Sequence, residues 1–396
     1  MIVREREAWT LIGIRLCFWA AAIVSLLWAP LHGSRKIPPY HAYGSLSDLV
    51  FGAFAQWDSA WFLHIAEHGY DSKTVTVFFP IYPLVVHAVA FVVRSTLVAA
   101  VLVSVVSAFA AAAAIVRIAR IVLDGRAASD AVLYVALYPL AFVFTAAYSD
   151  GLFLAFAAGA FLAALRGRAL SAGVLGALAF DTRVMGLALV PPLLLLLWPR
   201  VRSFAAIVRL TPLLLIPAAL GGYMLYLQHR FGDALAFVHA EGDPSWNRHL
   251  SHLGPLGGLR DAISSGWHGL IEILRHLPRT QNYPHGYPLH DMWAAWNVVQ
   301  ALLLLVALWL TWEAWRRLGA AYSLYSATLI AIVLSTPAAI VPLASEPRYL
   351  LVDFPLFIVL ASMTRDRPAL RTFLIGSFAA IGGIAAVAFA HDVWVA

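Results

Sequence analysis

The sequence predicts an all-α polytopic membrane protein, and three observations predict it. Of its 396 residues 62% are hydrophobic and 12% charged, where a soluble chain carries roughly 25% charged residues. Long apolar runs recur along the chain, and none alternates apolar and polar residues as a barrel strand does. The runs LIGIRLCFWAAAIVSLLWAP (11–30), TLVAAVLVSVVSAFAAAAAIV (96–116) and NVVQALLLLVALWLTW (297–312) approach or reach the ~20 residues that a spanning helix needs.

The first run is too long for the apolar core of a signal peptide and no small-residue cleavage site follows it, so it reads as a retained first helix. Further spans are expected at about 97–120, 131–148, 151–165, 169–182, 184–199, 210–228, 293–312, 321–343, 349–363 and 372–390, about 11 in all. They form a single domain over 1–396 without an internal repeat. The piece FFPIYPLVVHAVAFVV (78–93) is short and holds two prolines. Counted as a span it inverts every later loop, so it is expected to be a partly embedded helix.

The formal charge of +6 is dispersed between apolar spans, so it reports topology and gives no reason to expect nucleic acid. With a cytoplasmic N-terminus, the short turns carrying Arg117, Arg120, Arg166, Arg168, Arg316, Arg317, Arg365 and Arg367 all face the cytoplasm, as the positive-inside rule requires. The long segments at about 31–96 and 229–292, the C-terminus and all 14 histidines are then extracytoplasmic. Abundant alanine and arginine suggest a bacterial plasma membrane. The lone Cys17 supports neither a disulfide framework nor a cysteine metal site.

The stretch QWDSAWFLHIAEHGY (56–70) is a polar and aromatic island in this chain. Local rules read it as a short helix with Asp58 at the N-cap, Trp57 and Phe62 as a hydrophobic staple, and Gly69 as a positive-φ stop. Asp58 is therefore either a cap alone, or a cap whose second oxygen is available to a substrate hydroxyl. His64 and His68 have the i, i+4 spacing of a zinc pair but lack the HExxH pattern, so no metal is expected.

WDSAWFLHIAEHGY followed by FFPIYP resembles the first outer loop of the PIG-V family, the second mannosyltransferases of glycosylphosphatidylinositol synthesis and their prokaryotic relatives, within the GT-C membrane glycosyltransferases. Further pieces match in order: YPLAFVFTAAYSDGLF (138–153), DTRVMG (181–186), FGDALAFVHAEG with Trp246, and EPRYLLVDFP (346–355). Trp61, Asp150 and Met185 stand where the eukaryotic pattern has His, commonly Glu, and Asn, which fits a distant prokaryotic member. The resemblance implies a GT-C fold, a polyprenyl-phosphate-sugar donor, inversion at the sugar carbon, and mannose or a similar hexose as the group transferred.

The residues are consistent with that donor. There is no G-x-G-x-x-G fingerprint, Walker loop or large cytoplasmic domain to bind a nucleotide sugar. A transferase with its polar face outside must use a donor already there. No cofactor is expected; the partners are the lipid-linked sugar, membrane lipid, and a glycolipid, glycan or protein acceptor. Asp58 is the candidate catalytic group that takes or orients the acceptor proton. Arg183 and Arg348 sit at span ends, where arginine is costly unless paired or facing a wet cavity, and their forks suit phosphate. The plainer alternative pairs Arg183 with Asp181 or Asp150, and Arg348 with Glu346 or Asp353. Trp57, Tyr82, Tyr148, Asp150 and Trp246 complete the expected substrate-binding set, although such aromatics also serve as interface belts. The alternative from another class is a transporter or lipid flippase, which calls for inverted repeats and a midplane site.

Overall fold

The computed structural model describes residues 5–29, 46–198, 207–243, 246–276, 289–339 and 341–395, and these are overwhelmingly helical. The first half comprises α1 (Glu5–Trp28), α2 (Leu46–Gly52), α3 (Asp58–His68), α4 (Ile81–Val93), α5 (Thr96–Val122), α6 (Gly125–Leu137), α7 (Asp150–Leu165), α8 (Ala169–Thr182) and α9 (Val190–Leu197). There follow α10 (Leu215–Phe231), α11 (Ala236–Ala240), α12 (Pro255–His276), α13 (Leu289–Arg317), α14 (Ala320–Ser335), α15 (Glu346–Leu351), α16 (Phe354–Thr364) and α17 (Pro368–Ala390). The protein is an all-α polytopic membrane protein.

Among the described residues five helices are long and apolar enough to cross a membrane: Glu7–Trp28, Thr96–Val122, Val208–Phe231, Trp293–Arg317 and Pro368–Ala390. Shorter apolar helices lie between them, so the expected eleven full spans are not what the helix lengths give. Proline accounts for much of the difference, because it cannot donate to the helical ladder and restricts the residue before it. The expected span 131–148 is broken after Leu137, just before Pro139, and resumes as a single 3₁₀ turn, Ala141–Phe144. The expected span 321–343 ends at Ser335, before Pro337. The expected span 349–363 divides into α15 and α16, with Pro355 in the first turn of the latter. The 78–93 piece forms α4, whose 13 residues reach about 20 Å at 1.5 Å per residue, well short of a bilayer core of about 30 Å.

Small residues let the central helices approach. At Gly151, the second residue of α7, an added Cβ would lie 2.8 Å from the Ser104 carbonyl of α5. That contact seats the start of α7, and with it Asp150, against α5. Ser104 Oγ donates to the Tyr148 carbonyl at 2.9 Å and shares a 3.0 Å hydrogen bond with the Tyr82 hydroxyl, so the strand-like link into α7 is held from below.

The helices run between two chemically different ends. The α7–α8 turn carries Arg166 and Arg168, the α13–α14 turn follows Arg316 and Arg317, and the α16–α17 turn carries Arg365 and Arg367. Ion pairs Arg120–Glu7, Arg365–Asp124 and Arg371–Asp130, at 3.1, 2.8 and 2.6 Å, tie this end together. At the opposite end of the same helices lie Asp150 starting α7, Arg183 following α8 and Thr336 following α14. Asp58 and Arg348 join them there.

Candidate active site

Asp58 opens α3, where the helix dipole favours a carboxylate. The N-cap is Trp57, at φ 56° and ψ −120°, and no side chain caps the helix. This corrects the expected assignment of Asp58 as the cap: its carboxylate turns away from the helix and accepts from Arg348 Nη1. The expected Trp57–Phe62 staple is replaced as well. Phe62 packs edge-on against Phe78 and Tyr82, with ring centroids 4.8 and 4.9 Å away. Gly69 does stop the helix at φ 74°, donating its N–H to the Ile65 carbonyl.

Arg348 is the hub. Its Nε lies 3.1 Å from both Asp150 oxygens, Nη2 is 2.9 Å from Asp150 Oδ2, and Nη1 reaches Asp58. The guanidinium also lies 4.3 Å from the centroid of the Tyr148 ring. Asp150 is fully buried and takes a second cation, Arg183 Nη1, at 3.0 Å. Arg183 further donates to Ser149 Oγ at 3.3 Å. The result is a chain of charges, Asp58–Arg348–Asp150–Arg183, built from four separate segments. Bidentate arginine–carboxylate contacts of this kind fix geometry as well as charge. Of the plainer pairings, Arg183 does meet Asp150; Arg348 meets neither Glu346 nor Asp353, because α15 aims it towards α7.

A cavity of about 150 Å³ opens beside this chain. Asp58, Arg183, Arg348 and Trp246 line it, so four of the sequence candidates meet in one space. The other four lie behind it. Tyr82 is fully buried and bonded to the Ala100 carbonyl and Ser104. Tyr148 supports Arg348 from below and donates to the Gln56 carbonyl at 3.4 Å. Asp150 is sealed between two arginines, and Trp57 sets the backbone that turns into α3. None of these four is among the residues that line the cavity. Trp246 sits on the far wall, its indole donating to the Thr74 carbonyl at 3.2 Å and its ring 5.2 Å from Phe78.

Among the lining residues that were not sequence candidates, Glu241, Arg248 and Tyr349 carry charge or an aromatic face next to it. The described residues that follow α11 are pinned against the segment after α14. Arg248 forms an antiparallel bridge with Ala338, and His249 and Ser251 donate to the Pro337 and Ser335 carbonyls. Arg248 donates to the Thr336 carbonyl at 3.1 Å and to the Ala344 carbonyl. Its guanidinium lies 5.9 Å from the Tyr349 ring centroid, and that of Arg183 lies 5.4 Å from the same ring. Glu241 is half-buried, and burial raises its carboxyl above the ordinary range; Arg248 opposes that rise and Asp58 adds to it. The adjacent EPRYLL motif was the available signal for Tyr349. Nothing local distinguished Arg248 from the surrounding loop.

Backbone strain marks the same residues. Five non-glycine residues among those described have positive φ: Trp57, Arg94, Asn247, Ser345 and Asp392. Trp57 precedes Asp58, Asn247 precedes Arg248, and Ser345 introduces the turn that carries Arg348. Such conformations cost about 1–3 kcal/mol each and persist where surrounding structure enforces them, typically at functional sites.

A bundle of apolar helices with two carboxylates and three guanidiniums lining one small cavity has the make-up of a membrane group-transfer enzyme. The family model for mannosyltransferase (PIG-V) matches residues 26–225, more than half of the chain, and the protein belongs to that family. No curated protein and no solved structure matches the chain. The matched region holds Asp58, Asp150 and Arg183; Glu241, Trp246, Arg248, Arg348 and Tyr349 lie beyond it. The protein is thus a membrane mannosyltransferase, and the transporter alternative is set aside.

Proposed function

We propose that the protein transfers mannose, with inversion, from a polyprenyl-phosphate carrier to an acceptor hydroxyl on the extracytoplasmic side of a bacterial plasma membrane. The acceptor oxygen attacks the mannosyl carbon, its bond to the phosphate oxygen breaks, and the proton passes to Asp58. The polyprenyl phosphate leaves with the bonding pair. Asp58 is presented by the start of α3 and oriented by Arg348, so its free oxygen is aimed without rotameric search. Arg348 itself is saturated by two aspartates, whereas Arg183 shares only Asp150 with it and Arg248 has no ion pair among the described residues, so these two face the leaving phosphate with their remaining N–H groups. Tyr349 lies between them as a rigid spacer.

The observation that carries this reading is the Asp58–Arg348–Asp150–Arg183 chain at the wall of a cavity, in a member of a mannosyltransferase family. The extracytoplasmic side is supported by the arginine turns, which gather at the end away from the cavity and which the positive-inside rule assigns to the cytoplasm. The test is transfer by the purified protein, with membrane lipid extract as acceptor, from labelled polyprenyl-phosphate mannose or from a nucleotide-linked mannose. Labelled product from the lipid-linked donor alone is expected. Transfer that requires the nucleotide-linked donor would contradict the proposal.

A further inference from the structure

The molecule holds a second and larger cavity, of about 520 Å³, between α4, α10 and the end of α8. Tyr70, Tyr223 and Tyr226 present aromatic surface to it, and Asp181 stands among them. Leu84 and Tyr226, which line it, are 60% and 43% exposed. Phe91 and Leu225 on the same helices are exposed too, so the cavity borders an apolar surface on this side, while Glu67 and His87 complete its lining.

Asp181 is costly where it stands. Its Oδ1 is buried without a hydrogen-bond partner, and the nearby Arg183 is committed to Asp150. It also occupies the last turn of α8, where the helix dipole disfavours a carboxylate. A buried polar atom left unpaired requires an explanation, and no feature of the fold supplies one. An incoming hydroxyl would satisfy it, while tyrosine faces suit the apolar side of a sugar ring.

We infer that this cavity receives the hydroxylated sugar head of an amphiphilic acceptor, with Asp181 accepting a hydrogen bond from one of its hydroxyls. The inference rests on the mannosyl-transfer reading. The two cavities are neighbours: α3 lines both, Asp181 is two residues from Arg183, and Pro80 in one wall follows Phe79 in the other. An acceptor head held here lies against the α3 and Phe79–Pro80 walls that also bound the smaller cavity, while its hydrocarbon extends over the apolar surface beside Leu84.

The test is equilibrium binding to the full-length protein in lipid nanodiscs, with n-octyl α-mannopyranoside and n-octyl phosphate as probes of equal chain length. The mannoside is expected to bind, and Asp181→Asn to weaken it at least about tenfold, the scale of a lost hydrogen bond to a charged group. The same substitution should raise the thermal midpoint of the unliganded protein, because it removes an unpaired carboxylate. Tyr226→Leu, at a half-exposed position, is a second variant and should also weaken the mannoside. Wild-type protein that does not bind the mannoside, or variants that bind it unchanged, would overturn the inference. Equal weakening of both probes would overturn it too, since the site would then read only the chain. Mannoside binding that depends on Asp181 in a protein unable to transfer mannose would instead refute the transfer reading and leave the sugar site standing.

Discussion

On one wall of the smaller cavity, Arg348 binds two carboxylates at once and Asp150 binds two guanidiniums. In a second part of the lining, Arg248 is held by backbone carbonyls and forms no ion pair among the described residues; its backbone N–H donates to the Glu241 carbonyl, and the Glu241 carboxylate stands beside it. The first wall has its charges neutralised in place and is suited to fixing geometry. The second keeps its charge available and is suited to binding. Burial sharpens the distinction, because Arg348 and Asp150 are nearly or wholly buried while Arg248 and Glu241 are half-buried.

The largest effect should come from breaking the neutralised wall. Arg348→Ala leaves Asp150 with Arg183 as its remaining partner, and removing one member of a buried charge network typically costs about 3–5 kcal/mol. Both the thermal midpoint and transfer activity should fall steeply. A well-folded, active Arg348→Ala protein would show that the charge chain is incidental. Arg348→Lys should recover charge but not the bidentate geometry, and so recover stability better than activity.

On the second wall, Arg248→Gln keeps the shape and a donor while removing charge. The expected result is a KM for the lipid-linked donor raised about tenfold, the scale of a charge-assisted hydrogen bond, with a nearly unchanged thermal midpoint. A large loss of stability with normal donor binding would reverse the contrast between the walls.

Glu241 provides the smallest and most specific effect. Its folded-state proton affinity is raised, chiefly by burial. A carboxyl of this kind contributes stability below its unfolded pKa and loses that contribution as pH rises through its folded pKa. Glu241→Gln, which stays neutral, should therefore be more stable than wild type in the alkaline range, with the advantage shrinking on acidification. Thermal midpoints across a pH series check the sign.

Much of this arrangement was legible in the sequence. Apolar run length and composition give the membrane class, and the arginine turns give the separation of the two ends. The QWDSAWF and EPRYLL stretches locate Asp58 and Arg348, because charged residues at the ends of apolar segments need partners. Their pairing was not legible, since 290 residues separate them and only tertiary packing brings α15 against α3. The count of about eleven spans is not confirmed where prolines cut apolar runs into short helices. Arg248 was hidden because a pairing with the segment after α14, distant in sequence, turns an apparently loose loop into a fixed wall.

The central claim is that Asp58 is the proton acceptor and not a structural group. Asp58→Asn retains an oxygen for Arg348 but removes the carboxylate, and no capping hydrogen bond is lost because Asp58 makes none. The decisive measurement is the transfer rate of Asp58→Asn from the lipid-linked donor, taken together with its thermal midpoint. The expected rate is reduced by ~10² to 10⁴, the usual contribution of a general base, in a folded protein whose midpoint falls much less than that of Arg348→Ala, because Asp150 still neutralises Arg348. A stable variant turning over at the wild-type rate would contradict it.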